Sequence, residues 1–276
     1  MDKMTSLDGR WIELKDRAIF RITGPDRVRY LNGQVTNDVA GPLDERAITA
    51  CVCSLKGKVE FLIWISAFGD CLFVDGQLDQ RDELFERLDR YLIADDCEIE
   101  DVTGQWKLIH HFEKGLSGVH SRRTGTIGFD FFCETLPDLP EAKRIAGEEF
   151  NEEQWRALIP ASPWEITGNE FPAELGIADW TVDFHKGCYL GQEIISRIKS
   201  VGTVKRTLIL VTAETKLVQD SIVRTDDGFE GRITRALKTS EEKKFYGFCL
   251  MKLSSKNALP VDLQRVKRVT PAEMHI

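Results

Sequence analysis

The sequence predicts an α+β fold that ends in a small antiparallel barrel or sandwich. Three observations carry this. β-rich runs separated by Gly and Asp turns fill residues 11–74, two stretches with helical apolar spacing follow them, and after Thr203 the texture changes to short β-rich segments. The 276 residues, 42% hydrophobic and 30% charged, have an ordinary globular composition and suit one large domain or two to three smaller ones.

Trp11 to Ile22 reads as strand, turn and strand, with Lys15-Asp16-Arg17 as the polar break. Pro25 suits a first helical turn, and Val28, Leu31 and Val35 follow at helical spacing, so a short helix is expected over Gly24 to Val35. Arg46 to Cys53 and Val59 to Phe68 are strands around the hairpin signal Leu55-Lys56-Gly57-Lys58, and Cys71 to Val74 adds a third, giving an antiparallel meander. From Gln77 to Leu92 the apolar positions Leu84, Phe85, Leu88, Tyr91 and Leu92 form one stripe, opposite Arg81, Glu83, Glu86, Arg87 and Arg90. Strand character returns over Glu98 to Phe112, and a second helix is expected around Glu148 to Ile159. Beyond a boundary near residue 200, strands are expected at Leu208 to Val211, Ile222 to Arg224, Gly231 to Thr234, Phe245 to Met251 and Val266 to Val269, an antiparallel β-domain over 201–276 following an α+β region over 1–200.

The longest apolar stretch, Phe61 to Phe68, falls far short of the roughly 20 residues a spanning helix needs. No membrane partner is expected. The first ten residues lack the features of a secretory or transit segment, and seven cysteines, an odd number, show no paired framework; a reducing cytoplasm is the expected compartment. There is no fixed-period repeat, Walker loop, Rossmann glycine fingerprint, His-Glu-x-x-His or Gly-x-Ser-x-Gly. Cys51 and Cys53 lack zinc-knuckle spacing and read as core thiols, with no metal site expected. His110 and His111 point to opposite strand faces, one expected half-buried and the other wet.

The informative stretch is Asp183-Phe184-His185-Lys186-Gly187-Cys188-Tyr189-Leu190-Gly191-Gln192-Glu193, continuing to Ile198. Ile194, Ile195 and Ile198 make a helical stripe, and Glu193 and Arg197 stand four apart in the favourable ion-pair order. Were the helix to start just after Cys188, the sulfur would face unpaired amides at its positive end with Lys186 close by, and both favour thiolate. The alternative is a small buried thiol in a turn that needs glycine. Residues 185–207 carry five cations and one anion on a chain of net charge −8, so an anionic ligand such as a polyglutamate tail or an RNA phosphate run is a candidate partner, beside the simpler reading of a solvated face.

Lys186 to Glu193 resemble the Lys-Gly-Cys-Tyr-x-Gly-Gln-Glu signature of the folate-binding YgfZ proteins, relatives of the glycine-cleavage T-protein, an aminomethyltransferase. Gly24 to Val39, Leu55 to Val59 and Phe171-Pro172-Ala173-Glu174-Leu175 are similar to further segments of that family and occur in the same order. The resemblance implies a ring-like assembly of antiparallel sheets and helices in three subdomains around a folate-sized opening, two of them interleaved within 1–200, with a small C-terminal β-barrel. It also implies a role in assembling or repairing iron–sulfur enzymes, including tRNA-modifying ones, with tetrahydrofolate or a derivative as cofactor. Cys188 would be the required residue. Lys186, Gly187, Tyr189, Gly191, Gln192, Glu193 and Arg197 would support it, and Asn32, Gln34, Asn37, Asp38, Arg156 and Glu174 would line the cofactor site. Expected partners are a folate-like molecule, iron–sulfur client or assembly proteins, and tRNA.

Two positions depart from the pattern. The T-protein's aspartate pair just after the hairpin glycines is replaced around Glu60, Phe61 and Leu62, which argues against one-carbon transfer of that kind. Arg156 stands where the family places an acid, and a guanidinium cannot accept the hydrogen bonds of a pterin amidine edge. The rival readings are a folate-dependent one-carbon transferase and an RNA-contacting module using Lys199, Lys205 and Arg206.

Overall fold

The computed structural model describes residues 9–41, 46–113, 118–140, 143–202, 204–225, 229–237, 245–253 and 267–271. The chain divides into two compact units: the first comprises Met1–Cys53, Phe61–Ala157 and Trp180–Leu190, the second Ser54–Glu60, Leu158–Asp179 and Gly191–Ile276. It is α+β, with its strands mostly antiparallel.

In the first unit, β1 (Trp11–Glu13), β2 (Arg17–Thr23), β3 (Ile48–Cys53), β4 (Val59–Phe68), β5 (Cys71–Gln77) and β6 (Glu98–Asp101) fall where apolar runs meet Gly and Asp turns. Five of them form one sheet in the order β3-β4-β5-β2-β6. Helix α1 (Arg27–Gln34) starts three residues later than the spacing suggested, because Gly24 is in the left-handed region (φ 96°) and a Cβ there would lie 2.4 Å from the Asp96 carbonyl oxygen. Asp26 accepts a hydrogen bond from the Asp96 amide (2.8 Å) and anchors the helix start.

Helix α2 (Arg81–Asp89) buries Leu84 and Leu88 completely in the same core as Phe20, Ile22, Leu31 and Ile63, worth about 2 kcal/mol for each leucine. Its polar face departs from expectation at Arg87. That side chain is buried, donating to the Cys53 carbonyl (3.0 Å) and Gln34 Oε1 (3.3 Å), with its stem packed so that the guanidinium stacks on Tyr91.

The second sheet of this unit runs β1-β7-β9-β8, with β7 (Lys107–His111), β8 (Val119–Ser121) and β9 (Gly128–Cys133). The last two were not anticipated from the sequence. Its core joins Ile12, Leu108 and Phe132 to Phe150 of α3 (Gly147–Arg156). Neither histidine of β7 is wet, which corrects the sequence expectation. The strand is paired on both edges, by β1 and β9, and side chains cover both of its faces: His110 meets the edges of Phe112 and Phe150, and His111 stacks on Phe129.

The second unit holds α5 (Gln192–Val201), the helix predicted after the cysteine motif, and the C-terminal strands β10 (Arg206–Ala213), β11 (Ile222–Thr225), β12 (Glu230–Leu237), β13 (Phe245–Lys252) and β14 (Lys267–Pro271). They pair in the order β10-β13-β12-β11-β14, and β14 also pairs in parallel with β10. Each contains or overlaps a run read as strand from the sequence. Their shared core is Ile209, Val211, Val223, Ile233, Cys249 and Met251. The short helix α4 (Ala178–Thr181) bridges the chain between the two units in sequence and had no periodic signal.

Candidate functional site

Cys188 is exposed, whereas the other six cysteines are buried or partly buried. It lies in an irregular segment, four residues ahead of the first helical residue of α5, and Gly191 intervenes as a left-handed N-cap (φ 84°). The helix therefore does not start just after the cysteine, the condition under which its free amides would face the sulfur. The reason is a close approach to the hairpin: a Cβ on Gly191 would stand 2.5 Å from the Ser54 carbonyl oxygen, so this backbone turns in a conformation suited to glycine before the helix begins. Gly187 differs, since a Cβ there would meet nothing within 4 Å. Packing does not demand that glycine; it leaves open space beside the thiol.

Lys186 holds this segment from beneath. Its ammonium donates to the carbonyls of Asn32 (2.7 Å), Val35 (2.9 Å) and Asn37 (2.7 Å), collecting carbonyls at and beyond the end of α1 that no further helical turn could satisfy. All three of its protons are thus spent on backbone. Burial pushes the ammonium down to about 8, against the pull of Asp38 and Asp183. It also lies 5.2 Å from the ring centroid of Tyr189, which is buried at 7% exposure. Asp183 shapes the same loop by accepting from the amides of His185 (2.7 Å) and Lys186 (3.2 Å).

The polar residues named for the cofactor are mostly engaged by the chain itself. Asn32 Oδ1 accepts from the Val39 amide (2.9 Å), Asn37 Nδ2 donates to the Thr49 and Trp180 carbonyls (2.9 and 3.3 Å), and Gln34 Oε1 accepts from Arg87 (3.3 Å). Glu174 accepts from Arg206 Nε (3.0 Å) and the Phe171 amide (3.0 Å). Arg156 is exposed on α3 and pairs with Glu153 (3.2 Å) and Glu152 (3.8 Å). Asp38 is different: Oδ1 accepts from the Ala40 amide (3.0 Å), and Oδ2 has no hydrogen bond among the described residues. A half-buried carboxylate oxygen of this kind suits the amidine edge of a pterin, which needs an acceptor.

On α5, Ile195 is buried, Gln192 is half-buried, and Glu193 and Arg197 are exposed. No ion pair joins those two among the described residues, although their spacing allows one. In the same unit, Arg206 is committed to Glu174 and Glu170, while Arg197, Lys199 and Lys205 are exposed. The hairpin lysine Lys58 donates to the Asn169 carbonyl (2.8 Å) and caps the ring of Phe171. Asp183 opens the stretch singled out from the sequence but was given no role there; its Asp-x-x-Lys spacing marks the turn that carries Lys186.

Comparison with solved structures identifies the class by its fold. The chain is similar to the glycine cleavage system aminomethyltransferase T from Bartonella henselae, with a TM-score of 0.70 and 11% sequence identity over 88% of this chain and 79% of that one. This is the aminomethyltransferase fold. In sequence the chain is similar to the tRNA-modifying protein YgfZ of Escherichia coli O157:H7 (29% identical over 229 residues, 72% of this chain and 70% of that protein). It is similar as well to the proteins of that name from Cronobacter sakazakii (28% over 227 residues, 71% and 69%) and Sodalis glossinidius (27% over 233 residues, 71% and 69%). No family model matches the chain. The resemblance read from the cysteine motif is borne out: the chain is a homologue of the YgfZ proteins. Among the described residues no helix is long and apolar enough to cross a membrane, and no group of three or more His, Cys, Asp or Glu side chains could hold a metal ion.

Proposed function

We propose that the protein is a cytoplasmic accessory factor for assembling or repairing iron–sulfur enzymes, tRNA-modifying ones among them, and that it acts through Cys188 with tetrahydrofolate or a derivative as its ligand. One observation carries the reading: Cys188 is the exposed cysteine among seven, on a loop whose neighbouring glycine faces open space. A thiol so placed reaches a partner protein, while Lys186 and Tyr189 fix the loop from the buried side. The names of the sequence relatives and the aminomethyltransferase fold support the tRNA and folate parts of the reading.

Folate supplies a reduced pterin, able to carry one-carbon units. In this chain Asp38 Oδ2 would accept from the pterin amidine edge, with Asn32 and Asn37 holding the loop that presents it. Phe61 and Leu62 are buried apolar side chains where the T-protein places its acid, which disfavours aminomethyl transfer. RNA contact remains a secondary role for Arg197, Lys199 and Lys205; Arg206 leaves that set because Glu174 and Glu170 neutralise it.

Two measurements test this reading. In a strain lacking its own copy, the wild-type chain restores the activity of an iron–sulfur enzyme and Cys188→Ala does not; full rescue by the alanine variant removes the thiol from the function. Calorimetric titration with tetrahydrofolate gives saturable binding in the micromolar range that weakens about tenfold in Asp38→Asn, the loss of one charge-assisted hydrogen bond. A silent titration of the wild type removes the cofactor.

A further inference from the structure

Two irregular segments of the first unit carry the two groups assigned above. Residues 35–41, which follow α1, present Asp38, and residues 182–190, which follow α4, present Cys188. Neither forms a helix or an extended strand, so their backbone groups must find partners outside regular ladders. They find many of them in each other. The Asp183 amide donates to the Thr36 carbonyl (3.0 Å) and the Leu190 amide to that of Gly33 (3.3 Å). In return the Thr36 hydroxyl donates to the Thr181 carbonyl, and Asn37 Nδ2 to that of Trp180 (3.3 Å). Lys186 closes the seam between them. The piece of chain bearing Asp38 is held by two asparagine side chains: Asn37 Oδ1 accepts from the Asp38 amide (3.0 Å) and Asn32 Oδ1 from the Val39 amide (2.9 Å). The backbone carbonyls of those same two asparagines accept from the Lys186 ammonium, both at 2.7 Å.

We propose, resting on the ligand and thiol assigned above, that these two segments open and close as one unit pinned by Lys186, so that a ligand held by Asp38 orders the segment that presents Cys188. The physical reason is the shared bonding. If residues 182–190 lifted away alone, the carbonyls of Asn32, Val35 and Asn37 would lose their common donor and those of Gly33 and Thr36 their amides, each needing water in its place. Loosening the Asp38 segment at the same time admits that water. Joint opening therefore costs less than parting one segment from a rigid other, and the segments behave as a local cooperative unit. A ligand that binds only the closed form stabilises both segments by mass action. The coupling is reciprocal: a partner protein docked at Cys188 tightens ligand binding at Asp38 by the factor with which the ligand tightens docking. The exposed thiol is thereby presented in a fixed geometry when the ligand is bound.

The test is native-state hydrogen exchange on the full chain, read at the Val39 and Leu190 amides, one in each segment. In the wild type both exchange with the same opening equilibrium. Asp183→Ala removes the acceptor of the His185 and Lys186 amides and leaves every backbone group in place; it speeds exchange about tenfold at Val39 as well as at Leu190, the effect of losing a hydrogen bond to a charged group. Asn32→Ala, which frees the Val39 amide, speeds exchange at Leu190 too. A response confined to the altered segment in either variant overturns the proposal, and so do unequal opening equilibria in the wild type. Tetrahydrofolate at about 100 times its dissociation constant slows both amides by up to about a hundredfold, and slowing at Val39 alone overturns the coupling. A silent calorimetric titration removes the folate reading by itself, while the paired response to Asp183→Ala and Asn32→Ala still decides joint opening, so the two failures are told apart.

Discussion

Replacing Arg123 with leucine lowers the free energy of unfolding by about 3 to 5 kcal/mol, measured by urea denaturation at neutral pH. Arg123 is 1% exposed and holds two buried carboxylates at once, Asp75 (2.7 and 3.0 Å) and Asp130 (2.8 Å). Trp64 is stacked by its guanidinium at 4.9 Å and by that of Arg17 at 4.8 Å, and Arg17 also bonds Asp75 (2.7 Å). Leucine fills much of the volume but removes the guanidinium from Asp130, which keeps His110 (2.7 Å) and no arginine. An uncompensated buried charge is what makes the loss large.

The same cluster sets the acid limit. Burial would raise the Asp130 carboxyl, but Arg123 and His110 outweigh it and hold it at about 2, below the ordinary 3.8. Burial lowers His110 below its ordinary 6.5, with Asp130 pulling the other way. Both folded values are depressed, so the unfolded chain binds more protons in acid, and the stability these groups contribute is complete above about 6.5 and is lost as pH falls through their folded values. In Arg123→Leu, Asp130 loses the cation that depresses it and takes up a proton at higher pH, which relieves the buried charge. The stability gap between wild type and variant is therefore widest at neutral pH and narrows below about pH 4. A gap that stays constant down to pH 3 refutes this account.

Lys186→Met costs about 3 kcal/mol and abolishes the Cys188-dependent rescue without touching the sulfur. The methionine matches the stem but donates nothing, so the carbonyls of Asn32, Val35 and Asn37 lose a shared donor, each buried orphan costing about 1 to 3 kcal/mol less whatever water recovers. The loss is local. Amide hydrogen exchange should quicken at the end of α1 and over residues 183–190 while the second sheet of the first unit keeps its protection. A variant within 0.5 kcal/mol of the wild type, roughly the limit for a surface substitution, would show that these bonds carry no weight.

Much of the fold was legible because its elements obey simple periods. β4 occupies the whole run Val59–Phe68 read as strand, and α2 buries the Leu84 and Leu88 stripe. β9 was missed although Gly128–Cys133 alternates buried and half-buried along its length, because Asp130 stands at a buried position and reads as a polar break. What makes an aspartate tolerable there is Arg123 and His110, and no local pattern reveals that pairing. Arg87 misleads in the same way: its polar head looks solvent-bound on a helical wheel, and it turns inward because a carbonyl and an amide of other elements await it. Within the site, the motif and its family resemblance singled out Cys188, but Lys186 beside it was expected to act on the sulfur, and its protons go to three carbonyls instead.

The sequence by itself determined the α+β class, most strand and helix positions, and the YgfZ resemblance, since apolar periodicity and a contiguous eight-residue motif are local properties. Tertiary structure alone decided which charges are buried and what each polar group serves. Arg123 and Asp75 are 48 residues apart, and Lys186 and Asn32 are 154 apart. Hydrogen bonds act over a few ångströms of space, and only the folded backbone brings such distant positions within that reach.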